Sequence, residues 1–195
     1  MVLSHSVSLL QVAVFWSISA LLAGAIGWIA LRRREVRAAK ARRLGSVIGI
    51  GFQGVGFAAA SFGFVKPVLP WWAPFSIVST VLVVLLGGTA IILFLSAAST
   101  MGENWSIVAR TRTDHQLVRT GPFAMVRHPI YLALLLYLIS IAAALGHWRQ
   151  LIVAVPLYLI GTLIRIREEE ALLRAQFGEE HARYVREVPA LFPLR

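Results

Sequence analysis

Long apolar runs broken only by arginine-rich blocks constrain this chain more than any other feature. A run of about 20 apolar residues is long enough to cross the hydrocarbon core of a bilayer as a helix. Three such runs occupy residues 9–31, 47–65 and 75–98, and two shorter ones occupy 130–145 and 151–164. The segment Gly146-His-Trp-Arg-Gln150 separates the last two as a tight turn. The pattern predicts an all-α integral membrane protein with about five transmembrane helices. Each short run is marginal as a span, so the last two are expected as an antiparallel hairpin; a re-entrant hairpin is the alternative. Composition agrees: 58% of the 195 residues are hydrophobic and only 14% are charged, against about 45–50% apolar in an average soluble domain.

The charges are clustered, and their placement predicts orientation. Seven basic residues, Arg32, Arg33, Arg34, Arg37, Lys40, Arg42 and Arg43, lie between the first two runs. Arg110, Arg112, Arg119 and Arg127 lie between the third and fourth, and Arg165, Arg167, Arg174, Arg183, Arg186 and Arg195 follow the fifth. Only Lys66 and Arg149 fall in the other two loops. Loops rich in Lys and Arg stay in the cytosol, so the N-terminus is expected outside and the C-terminus inside. The net charge of +10 is therefore read as loops facing anionic lipid, and no nucleic-acid partner is expected. The first run lacks a basic leader and is followed by Arg32-Arg-Arg34, which suits a retained span better than a cleaved signal. Trp71 and Trp72 suit an aromatic anchor at the opposite interface. With no cysteine in the chain, disulfides, thiolate metal sites and thiol catalysis are excluded, and no metal is expected.

Two polar clusters remain where the membrane boundary is expected. Residues 120–131 read Thr-Gly-Pro-Phe-Ala-Met-Val-Arg-His-Pro-Ile-Tyr, and residues 165–170 read Arg-Ile-Arg-Glu-Glu-Glu. A residue before proline avoids helical geometry, and proline itself favours the first helical position. A helix is thus expected to start at Pro129, with His128 at its N-cap and Tyr131 within its first turn. Arg165 and Glu169 are four apart and share a helix face. Taken singly, the first cluster is compatible with a capped helix whose arginine reaches lipid headgroups, and the second with a surface ion pair. Together, at the two ends of a hairpin, they are expected to form one wall carrying cations, carboxylates, an imidazole and a phenol. Beyond them, residues 165–188 repeat apolar residues at helical spacing and suit one or two amphipathic helices on the cytosolic face, with an interruption at Gly178. The five glycines of the second run permit close helix packing and leave oligomeric state open.

The ordered set Gly121, Pro122, Phe123, Arg127, His128, Pro129, Tyr131, then Arg165, Glu169, Glu170, Leu173, Phe177, Gly178 and Tyr184, resembles the isoprenylcysteine carboxyl methyltransferase family. Related phospholipid N-methyltransferases share part of it. Gly102, Asn104, Trp105 and Ser106, with Leu117 and Val118, also look like family positions, so the resemblance covers about residues 99–195. It implies a membrane part over 1–98 and a catalytic region over 99–195. It also implies S-adenosyl-L-methionine as cofactor and a lipophilic acceptor, a prenylated cysteine or a lipid. Leu117, Val118, Gly121, Pro122, Arg127, His128, Pro129, Tyr131, Glu169 and Glu170 would hold the cofactor. Arg165 and Glu169 would be catalytic, and Asn104, Trp105 and Arg165 would meet the acceptor. An amine or phospholipid acceptor is the alternative substrate class. A membrane scaffold, a transporter and a sterol-type reductase are the alternative protein classes. No Gly-x-Gly-x-x-Gly fingerprint of a soluble dinucleotide-binding domain is present.

Overall fold

A computed structural model describes residues 5–32, 44–102 and 117–193. Five helices dominate: α1 (Leu9–Arg32), α2 (Leu44–Ser61), α3 (Pro74–Met101), α4 (Pro129–Leu145) and α5 (Leu151–Glu187). α1, α2, α3 and α5 are long and apolar enough to cross a membrane, whereas α4, at 17 residues, is short. The chain is a multi-pass membrane protein by this measure, as its sequence predicts.

Two boundaries differ from expectation for identifiable reasons. α2 ends at Ser61, earlier than the run of apolar residues, because Gly63 takes φ +144° and a Cβ there would lie 2.8 Å from His147 Nε2. The residues that follow, Val65–Lys66 (β2), pair in parallel with His5–Ser6 (β1). The second difference is larger. The fifth helix does not stop near residue 164 but continues through the charged segment to Glu187, broken only at Gly178 (φ 50°, ψ −119°). The unbroken part before Gly178, residues 151–177, extends about 40 Å at 1.5 Å per residue, against a hydrocarbon core of about 30 Å. The charged segment therefore projects beyond the apolar one: its first part continues the span, and the interruption expected at Gly178 sets off the last short stretch.

The helix pairing also departs from the expected hairpin. α5 packs along α2, and α4 along α3; α4 and α5, adjacent in the chain, touch little. The α2–α5 contact explains the glycines. Ser46, Gly49, Gln53, Gly56 and Ala60 form the buried stripe of α2. A Cβ on Gly49 would sit 2.7 Å from the carbonyl of Gly161, one on Gly161 2.4 Å from the carbonyl of Gly49, and one on Gly56 2.9 Å from that of Ala154. The two backbones touch, so α5 fits only against a glycine face. Gly51 and Gly54 have nothing within 4 Å and lie off that face.

A core of Phe15, Val83, Leu138 and Tyr158 fills the centre of the bundle. Gln11 of α1 donates to the carbonyls of Ala143 and Ala144, in the last turn of α4, at 2.7 and 3.1 Å. Turns and strands gather at one end of the bundle with Trp71 and Trp72. The starts of α2 and α4, the ends of α1 and α3, and the charged half of α5 gather at the other.

Replacing Gly161 with valine is expected to lower stability in detergent by at least about 2 kcal/mol through overpacking. Gly51→Ala is expected to shift it by less than about 1 kcal/mol. Thermal unfolding of both variants checks the assignment of the contact face.

Candidate active site

The site begins at a turn. Gly121 takes φ 57° and sits 2.9 Å from Thr100 Oγ1 by its would-be Cβ, so the chain leaving α3 returns close to that helix. Gly121–Ala124 form one turn of 3₁₀ helix, and Tyr184 of α5 donates its hydroxyl to the Phe123 carbonyl at 2.6 Å. Leu117 and Val118 lie half-buried in the segment leading into this turn. The tail then ties itself to the next residues: the amides of Arg127 and His128 donate to the carbonyls of Pro189 and Ala190 at 2.9 and 3.0 Å. His128 is the N-cap residue of α4 and the buried Pro129 opens the helix, as the proline spacing predicts.

Six of the expected residues converge. Arg127 donates from Nε and Nη2 to Glu170 Oε1 at 2.9 and 2.6 Å, and from Nη1 to the carbonyls of Val185, at 3.3 Å, and Val188. It is turned inward, not towards lipid headgroups. His128 lies between two carboxylates, with Nε2 3.2 Å from Glu170 Oε1 and Nδ1 3.5 Å from Glu169 Oε2. Tyr131 donates its hydroxyl to Glu169 Oε1. The guanidinium carbon of Arg165 stands 5.0 Å from the centre of the Tyr131 ring, and Arg165 Nη2 is 3.9 Å from Glu169 Oε1. That last distance makes an ion pair but exceeds a hydrogen bond. Glu168 turns elsewhere and packs over Gly45 at the start of α2. Asn104 and Trp105 lie outside the described residues.

Burial alone pushes the His128 imidazole down, but the carboxylates of Glu169 and Glu170 outweigh it and hold the group above its ordinary value. His181, beyond the break at Gly178, is fully covered. Neither of its ring nitrogens has a hydrogen-bond partner among the described residues, and burial holds it below its ordinary value.

Two further residues belong to the site and were not expected from the sequence. Gln53 of α2 accepts from Arg165 Nη1 at 3.0 Å, and Thr162 accepts from Gln53 Nε2 at 2.8 Å. A lone amide within an apolar span is the signal by which Gln53 could have been found, since buried polar groups in a membrane need partners. It is uncharged, so a search for ionisable residues passes over it.

A multi-pass membrane protein with a polar, mostly buried site where its helices leave the apolar layer is the class these features define. Residues 80–175 match the isoprenylcysteine carboxyl methyltransferase family. A protein-S-isoprenylcysteine O-methyltransferase of Schizosaccharomyces pombe is 35% identical over 102 residues, covering 51% of this chain and 43% of the relative. The cobalt-zinc-cadmium resistance protein CzcN of Cupriavidus metallidurans is 33% identical over 99 residues, covering 49% of this chain and 44% of the relative. The matched region spans less than half the length of these relatives.

His128 is expected to titrate above about 6.5, the value of an unperturbed imidazole, and Glu170→Gln is expected to lower it. With a raised folded pKa, the stabilisation from its charged pairs is fully present below that unperturbed value. It is lost as pH rises through the folded value. Histidine NMR titration of the two proteins, with unfolding measured across the same pH range, checks both the shift and its sign.

Proposed function

We propose that this protein is a methyltransferase using S-adenosyl-L-methionine. Its reaction is carboxyl O-methylation of an isoprenylcysteine-like acceptor, at the cytosolic face of its membrane. The observation that carries this reading is the closure of two sequence-distant polar segments into one cluster, inside the region matched to the family. The name of the S. pombe relative supports the same acceptor class. The concentration of Lys and Arg at this end supports a cytosolic site with the N-terminus on the other side. In this reading residues 1–98 supply the membrane part and 99–195 the catalytic region.

The residues present fit the cofactor. Two carboxylates suit a ligand bearing a sulfonium and an ammonium, and His181 adds buried ring nitrogens unmatched among the described residues. When bound, S-adenosyl-L-methionine supplies a methyl group on a positively charged sulfur, which leaves as a neutral thioether. Glu169 and Glu170, with His128, Pro129, Tyr131, the Leu117–Val118 backbone and the Gly121–Pro122 turn, would hold it. Arg127 acts behind them: its bonds to Glu170 and to the tail carbonyls fix where that carboxylate stands. Tyr131 fixes Glu169 in the same way.

Arg165 meets the acceptor. A carboxylate is already ionised at neutral pH, so no general base is required. The task is to hold one acceptor oxygen in line with the methyl carbon, a matter of orientation. Arg165 aligns the carboxylate and shields it from Glu169, and it must not grip both oxygens so tightly that neither can attack. Asn104 and Trp105 are assigned to the same acceptor.

Isothermal titration with S-adenosylhomocysteine is expected to give saturable binding to the wild-type protein and at least about tenfold weaker binding to a His128→Ala/Glu169→Ala variant. Arg165→Ala is expected to bind it within about threefold of wild type while losing about a hundredfold or more in turnover. Well-folded wild-type protein that binds no S-adenosylhomocysteine would overturn the reading.

A further inference from the structure

α2 contains no charged side chain, yet it faces the arginine assigned to the acceptor. Gln53 is 6% exposed and makes two hydrogen bonds to α5. Its carbonyl oxygen accepts from Arg165 at 3.0 Å, and its amide nitrogen donates to Thr162 at 2.8 Å. Thr162 and Arg165 are three apart, on one face of α5. The arrangement fixes which way the amide points: turned over, it would set two donors against a guanidinium that has no acceptor. One turn earlier on α2, Gly49 makes room for the arginine stem, since a Cβ there would lie 2.5 Å from Arg165 Cγ. Arg165 is thus held by α2 on one side and by the Tyr131 ring on another. The carboxylate of Glu169 also accepts from Tyr131, and Nη2 of Arg165 is 3.9 Å away from it.

A glutamate at position 53 would reach the same place and bind the guanidinium more strongly. It would also cancel the charge, because a carboxylate in close contact with a buried arginine forms a neutral pair. The amide holds the guanidinium without neutralising it. We propose that Gln53 positions Arg165 and sets acceptor selectivity: it fixes the guanidinium while leaving its positive charge to favour a carboxylate over a neutral or cationic headgroup. The proposal rests on the reading of Arg165 as the acceptor-binding residue.

The test is binding of two lipophilic probes to the purified protein without cofactor: S-farnesyl-N-acetylcysteine and its carboxamide. S-adenosylhomocysteine titration of the same samples tests the methyltransferase reading separately. Wild type is expected to bind the carboxylate at least about tenfold more tightly than the carboxamide, the scale of one charge-assisted hydrogen bond. Gln53→Glu is expected to abolish that preference while its affinity for S-adenosylhomocysteine stays within about threefold. Gln53→Met keeps the size, loses the acceptor and leaves the charge. It is expected to retain part of the preference and to raise KM for the carboxylate more than it lowers kcat. A purely structural role would instead change both probes and S-adenosylhomocysteine alike. A wild type without carboxylate preference, or a Gln53→Glu protein that keeps it, overturns the proposal whether or not S-adenosylhomocysteine binds. If Gln53→Glu does not fold, the wild-type preference and the Gln53→Met result decide it.

Discussion

The Arg127–Glu170 pair joins the turn before α4 to the charged part of α5, 43 residues further along the chain. One guanidinium bonds a carboxylate on the projecting half of α5 and two carbonyls at the end of that helix, while the Arg127 amide bonds Pro189. The pair is largely buried, with side-chain exposures of 9% and 17%. Breaking such a pair by removing one partner leaves an unmatched charge and costs far more than a surface ion pair contributes. Because Arg127 sits one residue before the His128 cap, this single pair also sets the height at which α4 begins. The short span of α4 is then accounted for: its start is fixed by a bond to another helix, not by the thickness of the bilayer.

A second constraint operates from the membrane side. The glycine faces of α2 and α5 bring two backbones into contact at Gly49 and Gly161, and that contact fixes the rotation and depth of α5. Arg165 follows Gly161 by one turn, so it emerges where α2 has a glycine for its stem and an amide for its head. The orientation of Arg165 therefore depends on packing inside the apolar layer, and that of Glu169 and Glu170 on hydrogen bonds outside it. The i, i+4 spacing along α5, unbroken between Gly161 and Glu170, couples the two sets.

Helix positions were legible because hydrophobic length is a one-dimensional quantity, and the starts of α3 and α4 at Pro74 and Pro129 are local chemistry. The cluster of six residues was legible for a different reason, since ionisable groups at a membrane boundary require partners and the two segments had complementary ones. What the sequence did not disclose is pairing. Adjacent runs joined by a tight turn suggest a hairpin, but apolar residues give no preference among helices in lipid, and the decision went to glycines that allow backbone contact. The continuation of α5 was hidden for a related cause. A helix passing from apolar to charged surroundings changes its composition at residue 165 without changing its geometry, and composition was the signal that marked the end of the span.

Placement at the boundary has a chemical consequence for the proposed reaction. A prenylated acceptor keeps its hydrocarbon tail in the bilayer and its carboxylate at the interface, whereas a nucleoside cofactor is confined to water. The two reactants can share a site only where a helix passes from one medium to the other, and α5 does so between Arg165 and Glu170. The residues on its apolar side, Arg165 with Gln53, face the medium that delivers an anion. Those on its polar side, Glu169 and Glu170, face the medium that delivers a cation. In the proposed reaction, one turn of helix would order opposite charges along the path by which opposite reactants arrive. Tyr131 and His128, reaching across from α4, hold the carboxylates to their own side and limit direct neutralisation of Arg165 by Glu169. Were that neutralisation complete, the site would keep its fold and lose the acid-over-amide selectivity proposed for it.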